Sequence, residues 1–448
     1  MTATAANESR TSQSEPAAEV VGRLRATFNA GVTRPLDWRV NQLQRLRALL
    51  VENEKELLEA VWADLRKNAA EAKMAEIDLT VGHIDETLAS LEGWLQPRPV
   101  EVPAFLGPTT TAHTKYDPLG VVLVIGTWNF PVHLLIDPLI GALAAGNTVV
   151  AKPSEISVHT SAVLSRLLRQ YFDADVLTVV EGGAEQTTAL LAQRFDHIFY
   201  TGNGTVGRII MAAAAKNLTP VTLELGGKNP IFVAPDADVD EAAQRLVGGK
   251  FMNAGQSCGA PDYVLADPAT AAALVPALRK ALEAQFGSTP QTAPDYGRVI
   301  NERHFDRLTR LLDSGKVAVG GRHDREDLFI APTVLTDVDP ASPVMQEEIF
   351  GPILAVVEVE DLDAAIAFIN ERDKPLGLYA FTTSEATKSR LANETSSGAV
   401  TWGSPGIQVL ISGLPFGGVG ESGMGRYHGL YSLETFSHLK SVVDVPLS

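Results

Sequence analysis

The sequence predicts a protein of the α/β class built on parallel sheets. Between residues 121 and 225, short apolar stretches alternate with helical stretches, which is the pattern of consecutive βαβ units. The strands are apolar along their whole length, as expected when helices cover both faces of a parallel sheet. A second alternation of this kind follows residue 227, and 448 residues exceed what one core usually organises. We therefore expect two or three domains.

The part of the chain before residue 121 is expected to contain helices and then an extended arm. Apolar residues recur at three- and four-residue spacing through residues 17–95, which is typical of helices. Residues 97–118 carry five prolines and many threonines, which break this pattern and predict a hairpin arm. Residues 1–16 are small and polar, so we expect a disordered tail and not a signal peptide.

The two α/β regions are predicted element by element from the same alternation. In the first region we predict strands 121–126, 148–152, 176–180, 197–200 and 221–225, with helices 139–145, 157–171, 186–193 and 208–215. In the second region we predict helices 240–252, 269–286 and 362–370, with strands 263–266, 353–359 and 399–401.

Composition argues against several classes of partner. Lys and Arg number 37 against 54 Asp and Glu, a net charge of −17, which disfavours nucleic acid and anionic membranes. The apolar run 121–125 is too short to span a bilayer. One cysteine excludes an intrachain disulfide and fits a reducing compartment, so a cytoplasmic location is expected. The nine histidines lack metal-ligand spacing, and we expect no catalytic metal.

Cys258, the only cysteine, is a candidate nucleophile. It lies between Gly255 and Gly259, which leave the thiol reachable by a small molecule. The alternative is a small buried apolar residue, because free cysteine is among the most buried residue types. The same stretch fits the hydrolase elbow G-x-S-x-G with Ser257 as nucleophile. That motif requires a strand before it and a helix after it, and the predicted order here is reversed.

A second glycine-rich stretch has the spacing of a dinucleotide-binding motif. Gly202, Gly204 and Gly207 form G-x-G-x-x-G between a predicted strand and a predicted helix, with Glu224 20 residues after Gly204. A Rossmann fingerprint would place Glu224 on the adenosine ribose, but that motif belongs at the first strand-to-helix turn, and three strands precede it here. A weaker inference is that the helix N-terminus after these glycines binds an anion. The alternative is that the glycines only form a tight turn.

Lys152 and Glu155 follow directly after the predicted strand 148–152. Ligands bind at the carboxyl ends of the strands in open α/β sheets. A lysine there can hold ribose hydroxyls or phosphate, and a glutamate can accept from a 2′-hydroxyl but repels a 2′-phosphate. The pair therefore favours NAD over NADP. The alternative is an exposed pair that caps the next helix.

Six segments, in order, resemble the motifs of the aldehyde dehydrogenase superfamily over about residues 28–443. Four further segments, and the short N-terminus, resemble its class 3 branch of fatty, aromatic and coniferyl-type aldehyde dehydrogenases. The superfamily motifs are Thr127-Trp128-Asn129-Phe130-Pro131, Lys152-Pro153-Ser154-Glu155, Glu224-Leu225-Gly226-Gly227-Lys228, Gly255-Gln256-Ser257-Cys258, Glu347-Glu348-Ile349-Phe350-Gly351-Pro352 and Pro415-Phe416-Gly417-Gly418. The branch segments are 216–222, 260–263, 425–429 and 435–438.

The resemblance implies a set of roles. Cys258 would attack the aldehyde, Asn129 and the Cys258 amide would hold the oxyanion, and Glu224 would activate water to release the acid. The cofactor, NAD with NADP possible, would be held by Trp128, Lys152, Glu155, Gly202, Gly207, Glu348 and Phe350. Glu348 is an alternative base.

The resemblance also implies an architecture of two doubly wound parallel-sheet domains and a β-arm. Residues 1–96 and 115–225 would form the cofactor domain, and 226–411 the catalytic domain. Residues 97–114 and 412–448 would form an arm that pairs across a homodimer. We expect no apolar C-terminal anchor of the kind found in membrane-bound class 3 members. Relatives usually have an asparagine where Trp402 or its neighbour falls, which leaves the natural aldehyde open.

Two other functions compete with oxidation of an aldehyde to a free acid. A CoA-acylating relative would release acyl-CoA, but such enzymes generally lack the base at Glu224. An esterase that uses the thiol without redox chemistry would gain no stability from NAD, whereas a cofactor binder would.

Overall fold

The computed structural model describes residues 15–446, and most of the predicted disordered tail lies outside them. The helices are α1 (Ala17–Asn29), α2 (Leu36–Glu52), α3 (Glu54–Leu65), α4 (Ala69–Ala72), α5 (Leu79–Trp94), α6 (His133–Ala145), α7 (Val158–Tyr171), α8 (Ala184–Leu191), α9 (Gly204–Ala215), α10 (Val239–Phe251), α11 (Pro268–Phe286), α12 (Glu302–Leu311), α13 (Pro343–Gln346), α14 (Leu362–Asn370), α15 (Glu385–Glu394) and α16 (Gly429–Thr435). A π-helical turn, Lys73–Asp78, joins α4 to α5.

The strands form three main sheets and one short ribbon. They are β1 (Arg98–Val100), β2 (Thr111–Pro118), β3 (Val121–Ile125), β4 (Thr148–Lys152), β5 (Leu177–Val179), β6 (His197–Gly202), β7 (Val221–Leu225), β8 (Pro230–Val233), β9 (Tyr263–Ala266), β10 (Lys316–Val319), β11 (His323–Asp324), β12 (Phe329–Ile330), β13 (Thr333–Thr336), β14 (Ile353–Glu358), β15 (Gly377–Phe381), β16 (Ala399–Trp402), β17 (Gly423–Met424) and β18 (Ser437–Asp444).

The first sheet has six strands in the order β17-β7-β6-β3-β4-β5, and all pairs except β17–β7 are parallel. Alternate residues of β3 enter different cores. Val122 and Val124 pack among the residues of α2, α5, α6 and α7, whereas Val121 and Leu123 pack among those of α1 and α9. Helices therefore cover both faces, which explains why the strands are apolar throughout.

The second sheet repeats this architecture with seven strands, β10-β13-β14-β9-β8-β15-β16, of which only β10 runs antiparallel. Val264 of β9 enters a core with α10 and α11, and Leu265 enters a core with α12 and α14. The prediction of two doubly wound parallel sheets is confirmed.

The predicted arm is a three-stranded antiparallel sheet in the order β1-β2-β18. Strand β18 pairs with β2 along its full length, from Ser437 opposite Pro118 to Asp444 opposite Thr111. Strand β17, from the same C-terminal segment, instead extends the edge of the first sheet beside β7. Among the described residues, no helix combines the length and apolarity needed to cross a membrane.

Two predicted helix starts are wrong. Helix α6 begins at His133 and not at residue 139, because it accommodates Pro138 in its interior. Helix α9 begins at Gly204 and not at residue 208, because Asn203 caps it by accepting a 3.0 Å hydrogen bond from the Val206 amide. The glycines of the G-x-G-x-x-G stretch therefore belong to a strand end and to the first helical turn.

Helices α6 and α16 approach closely at Gly141. A β-carbon at this position would lie 2.6 Å from Cβ of Ser432 and 2.9 Å from Cδ2 of Phe436. Gly82 of α5 is a natural contrast, since a β-carbon there would meet no atom within 4 Å.

We predict opposite effects of the same substitution at these two glycines. Gly141→Ala should lower the free energy of unfolding by about 1–3 kcal/mol, because the added methyl overpacks the contact with α16. Gly82→Ala, in an exposed helix interior, should raise it by about 0.5–1 kcal/mol. Denaturant unfolding of both variants measures the difference. Equal effects would contradict the close approach of α6 and α16.

Candidate active site

Cys258 is presented by a sharply turned segment between α10 and β9. Asn253 and Ala254 both have φ of 51° and Gly255 has φ of 73°, three successive residues in the left-handed region. A β-carbon on Gly255 would lie 2.2 Å from the Gly351 carbonyl oxygen, so only glycine fits. This turn leads the chain to Cys258, whose side chain is half-buried.

The amide of Asn129 ties the cysteine segment to the first sheet. Asn129 follows β3, and its Nδ2 donates to the Gln256 carbonyl at 3.1 Å. Asn253 Nδ2 donates in turn to the Asn129 carbonyl at 2.8 Å and to the Gln256 carbonyl at 3.1 Å. These bonds bring Asn129 beside the cysteine segment, as the resemblance implied.

A buried ion pair lies directly behind Asn129. Lys67 Nζ is 2.7 Å from Glu76 Oε1 and donates to the Asn129 carbonyl at 3.0 Å, and both charged side chains are fully buried. Glu76 Oε2 accepts from the amides of Val132 and His133 at 3.0 and 3.1 Å, where α6 begins. A helix N-terminus stabilises a carboxylate, which compensates part of the cost of burying it.

Asn229, in the loop before β8, fixes the other side of the cysteine. Its Nδ2 donates to the carbonyls of Cys258 and Ala260 at 2.6 and 2.9 Å, and its Oδ1 accepts from the Gly377 amide at 2.9 Å. The Tyr379 hydroxyl donates to the Gly259 carbonyl at 2.8 Å. Side chains therefore hydrogen-bond to the backbone both before and after the thiol.

Glu224, near the end of β7, is a buried acid close to the thiol. Neither carboxyl oxygen has a hydrogen-bond partner among residues 15–446, and burial raises the pKa of Glu224 well above its usual value. Burial also raises the pKa of the Cys258 thiol to about 12, and the nearby Glu348 and Glu224 carboxyls add to the shift. Glu224 is therefore placed to act near the thiol, and nothing in its surroundings supports a contact with the adenosine ribose.

Glu348 and Phe350 reach the same region from the loop before β14. A β-carbon on Gly226 would lie 1.9 Å from Glu348 Oε2, so the glycine leaves room for this carboxyl. Burial raises the pKa of Glu348 to about 8, and the Asp262 carboxylate adds to the shift. Phe350 has φ of 47°, and its ring meets that of Trp128 edge-on at 5.2 Å between centroids.

Lys228 and Asp262 join the loop of Glu224 to the loop of Glu348. Lys228 Nζ contacts Asp262 Oδ2 at 3.1 Å and the carbonyls of Val344 and Glu347 at 2.8 and 3.0 Å. Asp262 Oδ2 also accepts from the Ile349 amide at 2.9 Å. These bonds fix the position of the Glu348 loop relative to the Glu224 loop.

The predicted cofactor residues of the first sheet lie at the carboxyl ends of its strands. Lys152 ends β4 and is buried, with Nζ 3.4 Å from Glu155 Oε2. Gly202 ends β6, and Gly207 packs in the first turn of α9, where a β-carbon would be 3.1 Å from Leu225. The lack of a side chain at Gly207 therefore lets α9 pack closely on β7, which leaves its place beside a phosphate open.

These residues fit a dinucleotide. A buried ammonium at a strand end, a half-exposed carboxylate beside it and the N-terminus of the twelve-residue helix α9 supply donors and acceptors for ribose hydroxyls and phosphate. Trp128, Glu348 and Phe350 lie on the thiol side of the site.

Sequence reasoning missed the residues that support this site. Lys67 and Glu76 fall within helical sequence and carry no motif spacing, whereas Lys228, Gln256 and Asp262 lie inside segments that resemble the family and Asn229 directly follows one. Gln256 Oε1 accepts from the Ile300 amide at 3.0 Å, a contact across 44 residues. For these supporting residues, a position inside or next to a motif was the one sequence feature that could have indicated their role.

Comparison with known proteins gives a consistent result. The chain matches the aldehyde dehydrogenase family over residues 2–442. It is 50% identical to mouse "Aldehyde dehydrogenase, dimeric NADP-preferring", over 94% of this chain and 93% of that protein. It is also 50% identical to "Aldehyde dehydrogenase family 3 member A2" of Pongo abelii, over 93% of this chain and 86% of that protein.

A solved structure agrees in fold. "Substrate bound state of Staphylococcus Aureus AldH" has a TM-score of 0.94 at 43% identity and covers 95% of this chain and 93% of its own. With the site geometry above, these matches lead to one conclusion: the chain belongs to the aldehyde dehydrogenase family and is an NAD(P)-dependent enzyme that oxidises aldehydes to carboxylic acids.

Proposed function

We propose that Cys258, Asn129 and Glu224 carry the chemistry of this oxidation. The observation that supports the proposal is the convergence of a half-buried thiol, a fixed side-chain amide and a buried carboxyl without a hydrogen-bond partner among the described residues. The Cys258 sulfur attacks the aldehyde carbon to give a thiohemiacetal. Asn129 Nδ2 and the Cys258 amide donate to the oxyanion, and such preorganised donors supply a large share of barrier lowering.

The second half-reaction releases the acid. A nicotinamide held beside Trp128 and Phe350 would supply the hydride acceptor that this oxidation needs, so that the thiohemiacetal on Cys258 becomes a thioester. Glu224 then removes a proton from a water molecule that attacks the thioester carbonyl, and the thiol departs as the carboxylic acid forms. A carboxyl with a raised pKa is suited to take up that proton. Because this base is present, hydrolysis is favoured over transfer of the acyl group to CoA.

The thiol must lose its proton before it attacks. With a pKa raised to about 12 by burial and by the two nearby carboxyls, Cys258 is almost wholly protonated at neutral pH before ligands bind. Glu348, whose pKa burial raises to about 8, is close enough to influence the thiol. We assign Glu348 to the nicotinamide side of the site, where it accepts the proton of the thiol. Glu224 is assigned to activation of the attacking water.

The remaining candidate residues are proposed to hold the cofactor. Lys152 and Glu155 bind the adenosine ribose, Gly202 and Gly207 border the phosphates, and Trp128 and Phe350 flank the nicotinamide, with residues 1–96 and 115–225 as the cofactor domain and 226–411 as the catalytic domain. NAD is the preferred cofactor, because the Glu155 carboxylate opposes a 2′-phosphate. A catalytic thiol that must stay reduced suits the cytoplasm.

The arm, residues 97–114 and 412–448, is proposed to form a homodimer. Strand β18 is a sheet edge with exposed apolar residues Val443 (62%) and Leu439 (47%), and Phe105 of the arm is 86% exposed. A second copy of the chain at this edge would pair with its free backbone N–H and C=O groups and would bury these apolar side chains.

Replacing Cys258 and Glu224 separately should separate the two half-reactions. Cys258→Ser should lower kcat/KM for aldehyde-dependent NADH formation by about 10³-fold or more, because the hydroxyl is a far weaker nucleophile. Glu224→Gln should slow turnover by about 10²–10⁴-fold while an acyl-enzyme accumulates, detected as an added acyl mass on the intact protein. Glu371→Gln, at an exposed glutamate directly after α14, is the control. Ordinary turnover in Cys258→Ser would refute the assignment, and an acyl-CoA product would favour the CoA-acylating alternative.

Replacing Glu155 should change the choice of cofactor. Glu155→Gln removes the charge that opposes a 2′-phosphate and should raise the ratio of kcat/KM with NADP to that with NAD roughly five- to tenfold, since charges a few ångströms apart interact by ~1 kcal/mol in water-like surroundings. Glu371→Gln should leave the ratio unchanged. A ratio that stays the same in Glu155→Gln would remove Glu155 from the ribose site.

Charge placed on the arm should weaken the dimer. Val443→Asp together with Phe105→Asp should raise the dissociation constant at least tenfold, because two carboxylates would be buried at the interface. Sedimentation equilibrium measures it. Leu218→Asp, at an apolar residue that is 90% exposed outside the arm, serves as the matched control. A dimer unaffected by the double substitution would place the interface elsewhere.

A further inference from the structure

A second cluster of chemically capable side chains lies buried outside the catalytic residues. His83 of α5, Asp137 of α6 and His428, just before α16, each offer a donor atom, and these atoms lie within 4.8 Å of one another. Their exposures are 5%, 2% and 1%. His83 Nδ1 is 2.6 Å from Asp137 Oδ1, and His428 Nε2 is 3.5 Å from Asp137 Oδ2. We call this set the His83–Asp137–His428 cluster.

Several polar atoms of the cluster have no partner in the described chain. Among residues 15–446, His83 Nε2, Asp137 Oδ2 and both ring nitrogens of His428 make no hydrogen bond. Buried polar atoms are almost always paired, because desolvation without a replacement bond costs several kcal/mol. These unpaired atoms indicate a partner that residues 15–446 do not supply.

The backbone of His428 is held in an unfavourable conformation that directs the ring at this carboxylate. Its φ is 80° and its ψ is 137°, which a residue with a β-carbon rarely adopts. The Ser432 hydroxyl accepts from the His428 amide at 2.9 Å, and the Phe416 ring stacks on the imidazole with centroids 5.2 Å apart. The strain persists because these contacts fix the residue in place.

His133 supplies a third imidazole with a defined tautomer. Its ring centroid is 5.8 Å from that of His83 and 6.4 Å from that of His428. The Thr80 hydroxyl donates its proton to the Glu76 carbonyl at 2.7 Å, so His133 Nδ1, 2.9 Å from Thr80 Oγ1, is the donor of that pair. Nε2 of His133 then carries a lone pair, and it has no partner among the described residues.

The charge states suit a cation. Burial lowers the pKa of His428 to about 3 and that of His133 to about 4, so both rings are neutral at pH 7. Burial opposes ionisation of Asp137, but the surrounding imidazoles hold its pKa below the usual value. Burial opposes protonation of His83, but the Asp137 carboxylate raises the pKa of its ring, so His83 must give up a proton before the carboxylate and imidazoles form a donor set for Zn²⁺ and similar divalent metals.

We propose that the His83–Asp137–His428 cluster is a structural Zn²⁺ site, and that His133, which lies outside the set of donor atoms within 4.8 Å of one another, moves in as the fourth donor. Donor atoms around tetrahedral zinc lie roughly 3.3 Å apart, because Zn–N and Zn–O bonds are about 2.0–2.1 Å long. The observed separations are 2.6 Å to Asp137 Oδ1, 3.5 Å to Asp137 Oδ2 and no more than 4.8 Å between any two of the three donor atoms, so the side chains must shift to surround the metal. The metal displaces the proton between His83 and Asp137 and joins α5 and α6 to the C-terminal segment. No step of the aldehyde reaction uses it.

The test is a metal titration of the full chain. Protein stripped with EDTA, carrying Cys258→Ser so that the thiol binds no metal, should take up one Zn²⁺ per chain and retain it through gel filtration. Its Tm should rise by several degrees with Zn²⁺ and not with Mg²⁺. Co²⁺ in place of zinc should give the visible spectrum of a tetrahedral nitrogen and oxygen site, without a thiolate band.

Matched histidine variants locate the metal. His428→Gln should lose the bound Zn²⁺ and the rise in Tm, whereas His438→Gln and His159→Gln, at exposed histidines, should keep both. If His428→Gln does not fold, the stoichiometry and Co²⁺ spectrum of the parent chain decide. Failure of the stripped protein to bind zinc, an octahedral Co²⁺ spectrum, or zinc retained by His428→Gln would overturn the proposal and leave a metal-free hydrogen-bonded cluster.

Discussion

The structure of the active site depends on the left-handed turn at Asn253–Gly255. Non-glycine residues in this region cost roughly 1–2 kcal/mol each, and two of them occur in succession. The turn persists because its surroundings bind it: Glu71 accepts from the Asn253 amide at 2.9 Å, and the Asn253 side chain bonds to the carbonyls of Asn129 and Gln256. Each such bond contributes about 1 kcal/mol, enough together to offset the strain.

The bonds that hold this turn come from both parallel sheets. Asn129 follows a strand of the first sheet, whereas Asn229 and Gly351 precede strands of the second. Behind Asn129, the buried Lys67–Glu76 pair anchors its carbonyl to the start of α6. A thiol placed in this way has little freedom to move, which is what attack on a small carbonyl carbon requires.

Burial also sets the acid–base properties of the site. Glu224 is buried, Cys258 and Glu348 are half-buried, and removal from solvent raises the pKa of each group. With pKa values of about 12 and about 8, Cys258 and Glu348 are mainly neutral at pH 7 before ligands bind. Raised pKa values in neighbouring groups are typical of sites that transfer protons.

The fold class, the motifs and most bounds of the elements predicted between residues 121 and 401 followed from sequence alone, because strand periodicity and glycine positions are local properties. Strands β8, β13 and β15 were not predicted. Strands β4, β7 and β9 and helix α14 occur at the predicted residues. The sequence prediction failed at α6 and α9, where Pro138 and a run of glycines sit inside helices that capping and packing stabilise. Only the tertiary structure brought Glu224 to Cys258, placed Lys67 behind Asn129 and joined His83, Asp137 and His428. Those contacts span tens to hundreds of residues, and no local pattern encodes which distant side chains will share one buried space.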